Sequence, residues 1–182
     1  MRKILSVFFL IIILGFFMLL IVSTINSGGK QGRPGLNEIS GEVKVNYKNY
    51  TPIKGKDIYG KSLLESDDEI IMIDFWASWC PPCIQEANSL SSSYDYWKDK
   101  KVRFIGIALW DNEKSVKKFV EKYDFKYDIA LDKDGEYAIT YGVKALPEKF
   151  FINKNGEIVK KYIGPIDKES LDKIIEQILN GK

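Results

Sequence analysis

"DFWASWCPPC", Asp74 to Cys83, carries the only two cysteines of a 182-residue chain. Two thiols separated by two residues can be a structural staple, half of a metal site, or a redox pair that opens and closes. The flanking residues set the local structure. "IIMIDFW" (70–76) is apolar apart from Asp74, the pattern of a strand covered on both faces. Beyond it Cys83, Ala87, Leu90, Tyr94 and Trp97 recur at helical spacing, and Pro81 and Pro82 suit a helix's first turn. The cysteines thus stand where a buried strand gives way to a helix.

Working outward, "VRFIGIAL" (102–109) reads as a second buried strand, and a helix is predicted from about Asn112 with Val116, Phe119, Val120 and Tyr123 on one face. "YDIAL" (127–131) is a short strand. After Pro147, "KFFIN" and "EIVKKYI" flank "KNG" as a hairpin. The last helix is predicted from Asp167, with an apolar stripe of Leu171, Ile174, Ile175, Ile178 and Leu179 and Gly181 at its C-cap. "EVKVNYK" (42–48) alternates as an N-terminal β extension would. This order predicts an α/β domain with a mixed central sheet flanked by helices. No internal repeat is apparent.

Composition excludes whole classes of chemistry. The chain has no histidine, which removes imidazole-based triads and histidine ligation of haem, zinc or copper. A structural zinc site takes about four Cys/His ligands, and an iron–sulfur cluster fails by the same count, so no metal or other cofactor is expected. A net charge of +2 gives no reason to expect nucleic acid.

The N-terminus has a different character. Arg2 and Lys3 precede a run from Ile4 to Val22 that contains no charge, 19 residues against the ~20 that span a bilayer. The run is longer than the ~7–15 residues of a signal h-region, and "IVSTINSGG" is a poor cleavage site, so an uncleaved signal-anchor helix is expected. With the first basic residue after the run at Lys30, the positive-inside rule leaves the N-terminus in the cytoplasm and the bulk of the chain outside. "STINSGGKQGRPGLNEISGE" then reads as a tether with a reach of roughly 25 Å. The expected organisation is a cytoplasmic n-region (1–3), a transmembrane helix (4–23), a flexible tether (24–42) and one domain (43–182).

"DFWASWCPPC", followed some sixty residues later by "YGVKALPEKFFINKNGEIV", resembles the thioredoxin superfamily. More closely it looks like the membrane-anchored, extracytoplasmic thiol–disulfide oxidoreductases of the TlpA/ResA type, which include the cytochrome c maturation reductases. The resemblance implies a thioredoxin-like fold over about Val43 to Lys182 and placement on a bacterial cell membrane as a single-pass protein. It also implies oxidised client proteins, apocytochrome c among them, and a membrane thiol transporter of the DsbD/CcdA type as electron donor. A monomer is expected. Two readings stand beside it: a disulfide-forming oxidase of the same fold, and a Cu(I) chaperone using both thiolates.

Physical arguments support redox use independently. A staple closing only two intervening residues removes little unfolded-state entropy, so a structural role explains it poorly. Cys80, just before the helix, is expected to be the nucleophile, because the helix N-terminus favours a thiolate there. Cys83, in the first turn on the buried face, is expected to be the resolving thiol.

Further candidates follow from burial and from the resemblance. Asp74 is a lone carboxyl in an apolar strand, expected to have a raised pKa, and matches thioredoxin's buried acid; the alternative is a hydrogen-bonded polar residue at a strand end. Glu86 matches the active-site glutamate of the ResA-like branch, or is a solvated first-turn acid that complements the dipole. Pro147 matches the proline that is cis in this fold and, with Leu146, lies against the cysteine pair and presents backbone to substrate. Glu148 resembles the acid found there in the cytochrome-maturation branch, which puts it with Trp79, Leu146 and Pro147 among the expected substrate-binding residues; the alternative is a solvent-facing strand residue. Trp76 is expected to pack in the core and Trp79 to form a rim over the disulfide.

Overall fold

A computed structural model describes residues 2–26, 41–43, 45, 49, 51–63 and 70–181 of the chain. The chain divides into two compact units, residues 1–36 and 37–182. The predicted tether falls mostly on residues outside the described set, as do Lys44 and residues 46–48 of the predicted β extension.

In the N-terminal unit α1 (Arg2–Asn26) is a 25-residue helix. Its side chains are described at 9–19 and 21–22, where the large apolar ones are exposed, Phe9, Leu10, Ile11 and Phe16 among them. That stretch is shorter than the ~20 residues a span takes, and among the described residues no helix is long and apolar enough to cross a membrane.

The second unit is built on a six-stranded mixed sheet. Its strands are β1 (Gly41–Val43), β2 (Ile70–Trp76), β3 (Val102–Leu109), β4 (Asp128–Asp132), β5 (Glu148–Ile152) and β6 (Ile158–Ile163). They lie in the order β1-β6-β5-β2-β3-β4. β2 pairs parallel with β3 and antiparallel with β5, which explains why every residue of "IIMIDFW" is buried. β1 pairs antiparallel with β6, so the β extension enters the sheet at Gly41. The "KNG" hairpin joins β5 to β6 as predicted, with Gly156 at φ +73° in its turn.

Side-chain alternation along the strands divides the core between two faces. One face joins Ile70, Met72, Trp76, Phe104 and Phe151 to α2 (Pro81–Trp97), α3 (Glu113–Lys122) and α5 (Lys168–Leu179). The other joins Ile71, Ile73, Phe75, Ile105, Phe150 and Ile152 to α4 (Glu136–Tyr141) and to Ile53 and Leu63. α4 has no counterpart in the sequence reading. It is six residues long, too short to show a period, and is bracketed by Gly135 and Gly142, both at positive φ. α3 and α5 start where predicted, because Asn112 and Asp167 accept the N–H groups of Ser115 and Ser170.

Two features of the sheet place the site. Asp74 stands in register with Gly106 on β3 and with Lys149 on β5. A Cβ at Gly106 would lie 2.7 Å from Ile129 Cδ1 and 2.9 Å from Trp76 Nε1, so the indole lies across the backbone beside Asp74 only because this residue is glycine. α2 runs from the C-terminal end of β2 and is tied to α5 by Asp172 Oδ1, which accepts from Ser93 Oγ and Trp97 Nε1, each at 2.8 Å.

Candidate active site

The chain leaves β2 at Trp76 and turns into α2 within four residues, and Cys80 is the N-cap of that helix. Pro81 and Pro82 occupy the first helical positions, where a missing N–H costs no intrahelical bond. The first free amide is that of Cys83, which donates to Cys80 Sγ at 3.3 Å. Cys80 and Cys83 are joined as a disulfide and are almost completely buried. Both belong to the cluster that holds Met72, Trp76 and Ala87.

The surface next to Cys80 in the chain is aromatic. Trp79 is 56% exposed, and its Nε1 donates to the carbonyl of Trp110 at 3.4 Å. Trp76, by contrast, is buried against Phe119 and Phe125. Trp110 is itself exposed and sits at φ +49°, a sparsely populated conformation for a bulky residue. Its neighbour Asp111 accepts the amide of Ser78 at 2.6 Å, fastening the β3–α3 loop to the turn that carries Trp79. The Leu146–Pro147 peptide bond is cis. Leu146 packs against both core clusters, and the Pro147 carbonyl accepts the Gly164 amide at 2.9 Å.

At Asp74 and Glu86 the structure departs from the sequence reading. Asp74 is fully buried, as expected, but it is not a lone carboxyl. Lys149, also fully buried, brings its Nζ to 3.3 Å from Asp74 Oδ1. The same ammonium donates to both carboxyl oxygens of Glu86 and reaches the Gly164 carbonyl at 3.4 Å. Glu86 is therefore not a solvated first-turn acid. It lies on the inward face of α2, one turn beyond Cys83, and its Oε2 also accepts the amide of Ile166 at 2.9 Å.

Burial raises the pKa of both carboxyls. For Asp74 the loss of solvation outweighs the opposing pull of Lys149. Glu86 is pushed up to about 8, first by burial and then by the charge of Asp74, against the pull of Lys149 and the Ile166 amide. Two carboxyls around one ammonium titrate as a unit that is neutral while it holds one proton. Glu86 has the larger share of donors, Lys149 and the Ile166 amide, whereas Asp74 has the Lys149 ammonium at 3.3 Å. Tyr127 of the adjoining segment is buried beside them, and its phenol is held neutral by burial and by both carboxylates.

Glu148, expected at the substrate face or in solvent, is fully buried. Adjacent residues of a strand point to opposite faces, so Glu148 turns away from Lys149 and pairs with Lys161 of β6. Its Oε2 accepts the amides of Lys144 at 2.8 Å and Ala145 at 3.4 Å. Glu148 thus fixes the loop leading to Pro147 from behind. Lys161 lies 4.8 Å from the Phe150 ring centre, and burial lowers its pKa.

The sequence reading had missed Lys149 and Lys161. Their trace is the Glu148–Lys149 doublet in an otherwise apolar strand, which must find one partner on each face. Among the described residues no cluster of acids or cysteines has the arrangement of a metal site.

A cysteine pair at a helix N-terminus, packed against a mixed sheet, with buried acids on β2 and α2 and a cis-proline before β5, defines a thiol–disulfide oxidoreductase of thioredoxin-like fold. Comparison with known proteins agrees. The AhpC/TSA family model matches residues 47–161. The thiol-disulfide oxidoreductase ResA of Bacillus thuringiensis is 34% identical over 128 residues, covering 70% of this chain and 72% of the relative. ResA of Oceanobacillus iheyensis is 28% identical over 176 residues, covering 93% and 85%. The crystal structure of StoA from Bacillus subtilis superposes with a TM-score of 0.60 at 30% identity, over 68% of this chain and 96% of that one. The chain belongs to the AhpC/TSA family of thioredoxin-like proteins and is a thiol–disulfide oxidoreductase of the ResA/StoA type.

Proposed function

We propose that this protein is a reductase, held on the outer side of a bacterial cell membrane by its N-terminal segment, that reduces disulfides in client proteins. The observation that carries the reading is the Cys80–Cys83 disulfide at the start of α2, with Cys80 as N-cap and, among the described residues, the Cys83 amide as the one donor to its sulfur. Strong oxidants of this fold rely on a heavily stabilised nucleophile thiolate. Here the two prolines remove two donors from the position where such stabilisation arises. A less favoured thiolate makes the reduced form give up its electrons more readily.

In the reduced protein the Cys80 thiolate attacks a client disulfide. A Cys80–client disulfide forms and the client's second sulfur leaves as a thiolate. The Cys83 thiol then loses its proton to the Asp74 carboxylate and attacks Cys80 Sγ. The Cys80–Cys83 bond forms, the client sulfur departs, and two electrons have passed to the client. Asp74 is suited to this role because it shares a sheet face with Met72 and Trp76, which pack with the cysteine pair. Trp79 and the Leu146–Pro147 backbone form the surface against which the client lies.

The uncharged run from Ile4 to Val22 supports single-pass anchoring, with the domain on the extracytoplasmic side. Apocytochrome c is the leading client candidate and a thiol transporter of the DsbD/CcdA type the electron donor, both from the family resemblance. The protein acts as a monomer in this reading. Cys83→Ser in the full-length protein is expected to accumulate mixed disulfides at Cys80 that identify the clients, whereas Cys80→Ser traps nothing. Equal trapping by the two variants contradicts the assignment of roles.

A further inference from the structure

A fully buried lysine between two buried carboxyls is costly to assemble unless the arrangement is used. Removing each charge from water costs several kcal/mol, and the attraction returns that only when geometry is favourable. Lys149 meets this condition unequally. It donates to both oxygens of Glu86, yet it stands farther from Asp74, at 3.3 Å from Oδ1. Glu86 is further fixed by the Ile166 amide, and the ammonium by the Gly164 carbonyl. One carboxyl is fixed in place by several donors. The other is held only by the longer contact of its Oδ1 to the same ammonium.

We propose that Lys149 is a positioning residue whose ammonium, held between Glu86 and Asp74, decides how readily Asp74 takes the proton of Cys83. The inference rests on the reading of Cys83 as the resolving thiol. Proton transfer from a buried thiol to a buried carboxylate leaves a thiolate and a neutral acid. The step is possible only if Asp74 can first be ionised in a dry site. Lys149 is the nearby cation that permits this. The other buried lysine, Lys161, lies on the opposite side of β5 and is engaged by Glu148. Glu86 competes for the same ammonium, so it weakens the hold of Lys149 on Asp74. The charged and titratable groups against the carboxyl pair are Lys149 from β5 and Tyr127 from the segment entering β4, and Cys83 is buried one turn before Glu86 on α2.

The two partners of Asp74 therefore act in opposite directions. Without Lys149 both carboxyls stay protonated to higher pH, and resolution loses its proton acceptor near neutrality. Without the Glu86 charge, Lys149 serves Asp74 alone, and the acceptor forms at lower pH. A purely structural role for the cluster gives no reason for effects of opposite sign.

The test uses full-length protein in detergent micelles, reduced and then mixed with oxidised glutathione. Rapid acid quenching and mass analysis follow the Cys80–glutathione intermediate as it converts to the Cys80–Cys83 disulfide, across pH 5–10. In Lys149→Met the midpoint of the rate rise is expected to move up by at least about one pH unit, making resolution about tenfold slower at pH 7. In Glu86→Gln the midpoint is expected to move down. Superimposable profiles, or shifts of the same sign in both variants, overturn the proposal. Should Lys149→Met not unfold cooperatively, the Glu86→Gln arm decides alone, and an upward or absent shift there overturns it. A Cys83→Ser control separates the two readings. If its glutathione adduct decays as fast as that of the wild type, the resolving role of Cys83 fails; if the adduct persists while Lys149→Met matches wild type, only the role of Lys149 fails.

Discussion

Replacing Glu148 by Ala tests the conclusion that this acid supports the cis-proline loop from inside the domain. The side chain is fully buried, paired with Lys161 and bonded to the amides of Lys144 and Ala145. Removing it leaves Lys161, only 5% exposed, as an unpaired cation, and frees two amides of the loop before Pro147. Breaking a buried pair by deleting one partner costs about 3–5 kcal/mol. For a domain of this size that corresponds to a fall in Tm of roughly 10 °C. Lys161 can relieve part of the cost by losing its proton, and burial has already lowered its pKa. A lysine whose folded-state pKa is depressed binds fewer protons in the folded than in the unfolded state. Stability therefore rises as pH climbs toward the lysine's ordinary value, and the deficit of Glu148→Ala should shrink from pH 7 to pH 10. Urea unfolding of wild type, Glu148→Ala, Lys161→Met and the double variant forms a complete cycle. The expected coupling is at least about 2 kcal/mol, with the double variant more stable than Glu148→Ala. A loss below about 1 kcal/mol with no rescue by Lys161→Met would refute the reasoning and return Glu148 to the substrate face.

The buried carboxyl pair should give the wild-type protein a stability that declines with pH. Glu86 has a folded-state pKa raised to about 8, so its contribution is fully present below its ordinary value near 4.5 and is lost as pH rises toward 8. The slope is on the order of 1 kcal/mol per pH unit, and urea midpoints from pH 5 to 8 should show it in wild type and a flatter line in Glu86→Gln. Asp74→Asn removes the proposed proton acceptor and should slow resolution of the Cys80–glutathione intermediate by about a hundredfold. Because a desolvated carboxyl is lost while Lys149 keeps Glu86, thermal melts of Asp74→Asn at pH 8–9 should show equal or higher stability. An unaltered resolution rate across pH 6–9 would leave Asp74 a structural residue.

Much of the site could be read from the chain because it is local. The apolar run before "WCPPC", the proline pair and the apolar spacing of Cys83, Ala87 and Leu90 each describe one strand or one helix turn, and they place Cys80 at the N-cap and Cys83 inside. What could not be read depends on register between strands distant in sequence. Asp74 and Lys149 are 75 positions apart and meet because β5 pairs with β2. Nothing in "KFFIN" alone says which neighbour the lysine faces. The burial of Glu148 could not be read for a related reason: a charge in a hairpin strand ordinarily faces water, but β5 is an interior strand with core packed on both of its faces. Glu86 follows Cys83 by three residues on the same helix, yet its burial goes with partners distant in sequence, Lys149 and the Ile166 amide. Tertiary partners, not composition, decided these cases.

The central claim is that the Cys80–Cys83 pair donates electrons to clients, and its reduction potential tests this most directly. Equilibrating the full-length protein with glutathione redox buffers, with the disulfide read by alkylation and mass analysis, gives that potential. The two prolines and the single Cys83 amide at Cys80 Sγ predict a value nearer the approximate −270 mV of thioredoxin. A value near the approximate −120 mV of the oxidant DsbA would contradict the account and make the protein a disulfide-forming oxidase.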